Sequence, residues 1–422
     1  MNEEFLHYLW KYQLFKQHLK SSDQEDIIVK KIGTKNTDAG PDFSNALIKI
    51  GNSIWAGNVE IHIKTSDWFK HNHQIDPKYK TVILHVVYEN DLEDKQIQKI
   101  NTPMLELKEY IISNTFQKYQ AFMGNLYWIP CENQINEVSR FKLYYFISKL
   151  AIERLEYKSE RIQRLLLKNK NNLEQSFYEL LAHNFGFKTN SEAFEMLAES
   201  LLLTILAKQK NSLLQIEALL FGQAGMLNKD FKDAYPNKLK KEYGFLKVKY
   251  MLNPISSHIW KFLRLRPSNF PTIRLAQFAM LIYNSSALLS QIIESETIDQ
   301  ITHFFKIETS EYWNTHYNFD LKTKNKKKIL GQQATNLILI NTVIPFLFVY
   351  GKFKDEEKFC KKALNFLEIL DRENNHIIRK WKSLGITTSS AFFTQALIHL
   401  KHFYCDKKRC LECQVGHELL KG

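Results

Sequence analysis

The chain has 422 residues, 44% of them hydrophobic and 24% charged, a balance typical of folded globular proteins and too much chain for one ordinary core. A surplus of 58 Lys and Arg over 45 Asp and Glu gives a net charge of +13, which favours anionic partners, nucleic acid first. Five cysteines in so long a chain exclude a disulfide scaffold, no apolar run is uncharged and long enough to predict a membrane span, and the acidic start MNEEFLHYLWKYQLF lacks a signal-peptide cleavage site, so a cytoplasmic protein without a membrane partner is expected.

Phe5, Leu6, Leu9, Trp10, Leu14, Phe15 and Leu19 recur near helical period, which predicts a helix over 3–20. Ile27–Ile32 reads as a strand, and Asn36–Pro41 as turn chemistry. Phe43–Ile50 and Ser53–Thr65 read as two strands joined by a tight turn at Gly51-Asn52. Trp68–Tyr79 is a polar connector. Thr81–Tyr88 (TVILHVVY) is a nearly continuous apolar run, the pattern of a strand covered on both faces. From Pro103 the texture turns helical, with helical spacing over 142–169, 172–183, 191–208, 212–221, 238–252, 273–289, 296–306, 334–350, 355–371 and 391–403. Leu337–Tyr350 contains Asn341 and Pro345 and reads as a buried helix. The predicted class is α+β: a mixed αβββαβ sheet domain over 1–102, a mainly helical domain over 103–400, and a cysteine-rich tail over 401–422.

The segment NTDAGPDFSNALIKIGNSIWAGNVEIHIKTSDW (36–68) carries the chemistry. Asp42 opens one strand. Glu60, His62 and Lys64 occupy alternate positions of the next and so share a face. Strands pair about 4.8 Å apart, so a hairpin can bring Asp42 to Glu60. Two carboxylates beside a nitrogen base suit a hydrated Mg²⁺ or Mn²⁺ attacking a phosphodiester. In that reading Asp42 and Glu60 bind metal, and His62 or Lys64 positions or deprotonates the water. His71, His73 and Asp76 follow on the connector, with His73 and Asp76 as further candidate ligands. His85 lies inside the apolar fourth strand, where it needs a hydrogen-bond partner.

Pro41-Asp42 and Glu60-Ile61-His62, in this strand order, resemble the PD-(D/E)XK nuclease superfamily over residues 1–90, with His62 standing where that pattern has Lys. The resemblance implies a nuclease fold, a metal-bound acid pair, and a further acid on the first helix, here Glu3 or Glu4. Over a longer span the chain resembles a family of uncharacterised bacterial proteins defined only as a domain of unknown function, number 2851 in family naming. That likeness rests on FLHYLWK (5–11), NTDAGPDF (36–43), WAGNVEIHIKTSDW (55–68), HNHQID (71–76), VILHVVYEND (82–91), GFKTN (186–190), RPSNFPTIRLAQ (266–277) and KRCLEC (408–413).

In the helical region, Arg264, Arg266 and Arg274 flank a Pro-bracketed loop leading into a helix and could cradle phosphate; Arg266 or Arg274 could instead tie the loop to the helix. GFKTN reads as a Gly186 C-cap followed by a helix capped at Asn190 or Ser191. In the tail, Cys405, Cys410, Cys413 and His417 have spacing suited to one metal site, for Zn²⁺ or an iron–sulfur cluster, with Cys131 and Cys360 as distant thiols that could fold back. The leading functional expectation is a metal-dependent nuclease. The alternatives are a non-catalytic nucleic-acid-binding scaffold with a degenerate nuclease fold, and a metal-dependent hydrolase of small phosphoesters using His62, His73, Asp76 and His85.

Overall fold

In the computed structural model, which describes residues 1–111 and 113–421, helix α1 (Glu3–Tyr12) starts at Asn2, whose side chain accepts the Phe5 N–H at 3.1 Å. The sequence predicts this helix to residue 20. It ends at Tyr12 because Gln13 turns left-handed, with φ 51°, and the apolar Leu19 joins a strand instead.

Seven strands follow: β1 (Leu19–Lys20), β2 (Asp26–Lys31), β3 (Thr34–Lys35), β4 (Phe43–Ile50), β5 (Ser53–Lys64), β6 (Val82–Glu89) and β7 (Met104–Glu106). They form one mixed sheet in the order β1-β2-β4-β5-β6-β7, with β3 paired on β4. The β5–β6 and β6–β7 pairs are parallel, the others antiparallel. The β4–β5 hairpin turns at Gly51, which takes φ 56°, and Ile50 faces Ser53 across it. Its register shifts between Phe43 and Ala46, where Asn45 takes φ 58°, so that Phe43 pairs with Val59. That register sets Asp42 beside Glu60. Every residue of β6 from Val82 to Val87 is buried, as the apolar run predicts for a strand covered on both faces. β1, β3 and β7 are too short to show a period in sequence.

The chain divides into two compact units. One comprises residues 1–146 with 401–422; the other comprises 147–400. The sequence reading puts boundaries at 102 and 401, whereas here the sheet and the tail belong to one unit.

Beyond the sheet the chain is helical, as predicted, with differences at the breaks. The 191–208 pattern is two helices, Phe187–Ser200 and Leu203–Lys208, and the 273–289 pattern is Pro271–Asn284 and Leu288–Glu294. Helices at Ser113–Gly124, His376–Ser383 and Gln414–Lys421 are additional to the predicted set. Gln332–Lys354 is long and apolar enough to cross a membrane by length and composition, yet 72% of its most apolar window is buried inside the protein. Gly186 caps the C-terminus of the helix Leu173–Phe185 as predicted, its N–H donating to the Ala182 carbonyl at 3.2 Å with φ −68°, and a Cβ there would meet the Asn190 carbonyl oxygen at 2.3 Å. The Asn190 amide does not cap the following helix; it exchanges hydrogen bonds with the Lys261 backbone at 3.0 and 2.8 Å.

A buried acid in the second unit gives a pH-dependent stability. Glu217 is 1% exposed and accepts from Tyr235 Oη at 2.5 Å and Ser310 Oγ at 2.7 Å. Burial raises its pKa to about 7, above the ordinary 4.5. The folded chain therefore keeps a proton that the unfolded chain has lost, so stability falls as pH rises from 4.5 to 7, by about 1.4 kcal/mol per unit. Glu217→Gln is expected to flatten the dependence of unfolding free energy on pH by about one proton across that window, as measured by denaturant titration.

Candidate metal centre

Asp42 and Glu60 meet at the start of the β4–β5 hairpin. The Asp42 N–H donates to Glu60 Oε2 at 3.1 Å, and the Ile61 N–H donates to Asp42 Oδ2 at 2.9 Å. Each carboxylate is thus fixed by a backbone N–H beside the other. Helix α1 adds His7, whose Nε2 is 3.2 Å from Asp42 Oδ2. Glu3 lies one turn earlier on the same face, its pKa raised by burial and by the charge of Asp42.

Histidines fill the other side. His62 follows Glu60 on β5, and its Nε2 is 3.4 Å from Glu60 Oε1. After the short helix α2 (Asp67–Lys70), the chain returns His71 and His73: His71 Nδ1 is 3.2 Å from His62 Nε2, and His73 Nε2 is 3.3 Å from Glu60 Oε1. One nitrogen each of His62, His71 and His73 lies within 4.8 Å of the other two. His85 sits behind on β6 with its Nε2 2.9 Å from His62 Nδ1. Trp68 and Tyr79 wall the group, the Tyr79 ring stacked on His73 at 3.7 Å.

The electrostatics are those of a cluster lacking its own cation. Burial, then the charge of Asp42, raises the Glu60 pKa to about 9. Burial, then the neighbouring imidazoles, lowers His62 to about 3; burial, then His73, takes His85 to about 3; burial, then His71, lowers His73. The contacts of Glu60 with His62 and His73 fall within ion-pair distance, but a protonated acid beside neutral imidazoles is no ion pair. Their alignment agrees with this. Both His73 nitrogens, His7 Nε2, His85 Nδ1 and Trp68 Nε1 are buried without a hydrogen bond of acceptable geometry. No lysine or arginine is among the groups acting on Glu60. The imidazole nitrogens of His7, His62, His71 and His73 around two carboxylates fit a divalent ion.

Of the residues singled out in the sequence, Asp42, Glu60, His62 and His73 come together. Lys64 does not: it is exposed and acts on Glu89 and Asp91. Asp76 is spent capping the 3₁₀ turn Pro77–Thr81, accepting from the Lys78 N–H at 2.9 Å. Arg274 is buried, donating to Gln277 Oε1 at 2.8 Å and Asn269 Oδ1 at 2.7 Å over the Phe187 ring, so it ties loop to helix and leaves no phosphate cradle with the exposed Arg264 and Arg266. His417 turns away from the tail cysteines, its Nδ1 3.1 Å from Tyr8 Oη and its ring on Tyr12. Sequence reasoning missed His7, and it named His71 without giving it a part in the site. The signal for His7 was the four-residue step from Glu3, which places both on one helix face.

A family model described as "Protein of unknown function (DUF2851)" matches residues 3–376. No curated protein and no solved structure matches the chain.

Proposed function

Since the chain belongs to the DUF2851 family, whose description names no activity, we propose from the site itself that the protein is a divalent-metal-dependent phosphodiester hydrolase acting on nucleic acid in the cytoplasm. The observation that carries this reading is the convergence of Asp42 and Glu60 with His62, His71 and His73, around buried nitrogens that no protein group satisfies. Asp42, Glu60, His62 and His73 would hold Mn²⁺ or Mg²⁺, and the imidazoles favour Mn²⁺ of the two. Bound there, the ion supplies an activated water and neutralises charge on the phosphate.

The chain's own groups divide the remaining work. His85 Nε2 pairs with His62 Nδ1 at 2.9 Å; with the His62 proton on Nδ1, His85 would accept it and leave the His62 Nε2 lone pair toward Glu60 and His71. His62 is too weak a base to take a proton near neutrality, which leaves that role to His71, the exposed histidine at the mouth. Trp68 and Tyr79 keep the back of the cluster dry, and the surplus of 58 basic over 45 acidic residues favours a phosphate backbone.

The test is cleavage of labelled DNA and RNA with Mn²⁺ or Mg²⁺ by the wild type, Asp42→Ala and Glu60→Ala. Hydrolysis by the wild type that both variants lose is expected. Equal rates in all three, or none with either ion, contradicts the reading. Turnover of small phosphodiesters alone would keep the metal chemistry and replace nucleic acid as the substrate.

A further inference from the structure

Four of the five cysteines of this chain converge, although they come from two stretches far apart in sequence. Cys405, Cys410 and Cys413 lie in the tail, and Cys131 sits about 270 residues earlier, in the loop after helix Ser113–Gly124. Hydrogen bonds dock the two stretches. Lys408 Nζ donates to the carbonyls of Met123 and Asn125 and Lys401 Nζ lies 5.1 Å over the Trp128 ring, while within the loop the Asn125 amide donates to the Pro130 carbonyl at 2.6 Å. The result is a group of thiols close enough to act on one another's charge: Cys413 and Cys410 act on Cys131, and all three act on Cys405. None is in a disulfide.

Three buried thiols and the half-buried Cys405 could simply be small core side chains. Two features say otherwise. The chain wraps Cys413 in a tight turn whose Val415 and Gly416 N–H groups point at its sulfur, stabilising a thiolate rather than a thiol. A Cβ at Gly416 would meet the Cys410 carbonyl oxygen at 2.2 Å, so that glycine holds the two cysteine turns together.

The spacing selects the kind of centre. One Zn²⁺ with Zn–S near 2.3 Å draws its four sulfurs to within about 4 Å of each other. Among the described residues, no three of these thiols lie within 4.8 Å of one another. An iron–sulfur cluster puts several irons and sulfides between its cysteines and holds them wider apart. We infer that Cys131, Cys405, Cys410 and Cys413 ligate an iron–sulfur cluster, with His417 outside the set. Each thiol gives up its proton on ligation, and the cluster clamps the returning tail to the loop at Cys131, which closes the sheet unit.

The test uses the full chain purified without oxygen. Iron and acid-labile sulfide in stoichiometric amounts, with a broad visible absorption that bleaches on reduction, are expected. Cys131→Ser loses them, while His417→Ala and Cys360→Ser keep them. Glu60→Gln also keeps them, which separates this centre from the hydrolytic site. Where Cys131→Ser proves insoluble, the content of the wild type and of His417→Ala decides. Zinc in place of iron, a metal-free wild type, full iron in folded Cys131→Ser, or loss of iron in His417→Ala overturns the assignment.

Discussion

Glu60→Gln is expected to raise stability and abolish activity together. In the metal-free chain Glu60 keeps its proton to about 9, because burial and the charge of Asp42 oppose ionisation, while the unfolded chain loses it at the ordinary 4.5. Between those values unfolding releases a proton, so the wild type loses about 1.4 kcal/mol of stability per pH unit as pH rises. A glutamine of the same shape removes that slope and leaves the Asp42 N–H an oxygen to donate to. With chelator present, the variant should melt above the wild type at pH 8, by a margin that shrinks toward pH 5. With Mn²⁺, its cleavage rate should fall by more than about 100-fold, since residues that merely support a metal ligand already contribute 10–100-fold. A variant less stable than the wild type at both pH values would mean that Glu60 is an ordinary ion-pair partner of His62 and His73.

Mn²⁺ is expected to stabilise the sheet unit strongly. A ligand that binds only the folded form adds about 2.7 kcal/mol at a hundredfold excess over its Kd. The thermal transition of the wild type should therefore rise by several degrees with Mn²⁺, and less with Mg²⁺, because imidazole nitrogens suit the former better. Glu60→Gln and His73→Ala should each lose most of the Mn²⁺ shift. Lys64→Ala and Arg274→Lys should retain it, since Lys64 faces Glu89 and Asp91, and Arg274 serves the Pro-bracketed loop. An equal shift in the wild type and Glu60→Gln would place the ion elsewhere.

Sequence pattern reached the sheet because the strands of this hairpin are long enough to show their period. Phe43–Ile50 is read to the residue, and the apolar run around Leu84 is read as covered on both faces. Strands of two or three residues carry no period, so β1, β3 and β7 went unseen. The acid pair was legible only as a neighbourhood: antiparallel register carried straight from the turn would set Asp42 opposite Ile61, and the shift between Phe43 and Ala46, which no sequence pattern announces, brings it to Glu60. The histidine group was legible only in part. His62 and His73 stand out as polar residues in an apolar neighbourhood, but that His7 arrives from α1 depends on how the helix packs on β5, which no local pattern encodes. Lys64 failed for the opposite reason. Alternation put it on the face of Glu60, yet the strand ends there and its side chain leaves the cluster for solvent. Nor could spacing in the tail point to Cys131, since that thiol reaches the tail cysteines through tertiary contacts from a loop some 270 residues away, while His417 meets Tyr8.

Anomalous diffraction from crystals of the full chain grown with Mn²⁺ tests the centre most directly. The account predicts a peak bounded by Asp42, Glu60, His62 and His73, with Glu60 drawn off its imidazole contacts and onto the ion. A Mn²⁺-saturated crystal with no peak there, and with Glu60 still resting against His62 and His73, would contradict it.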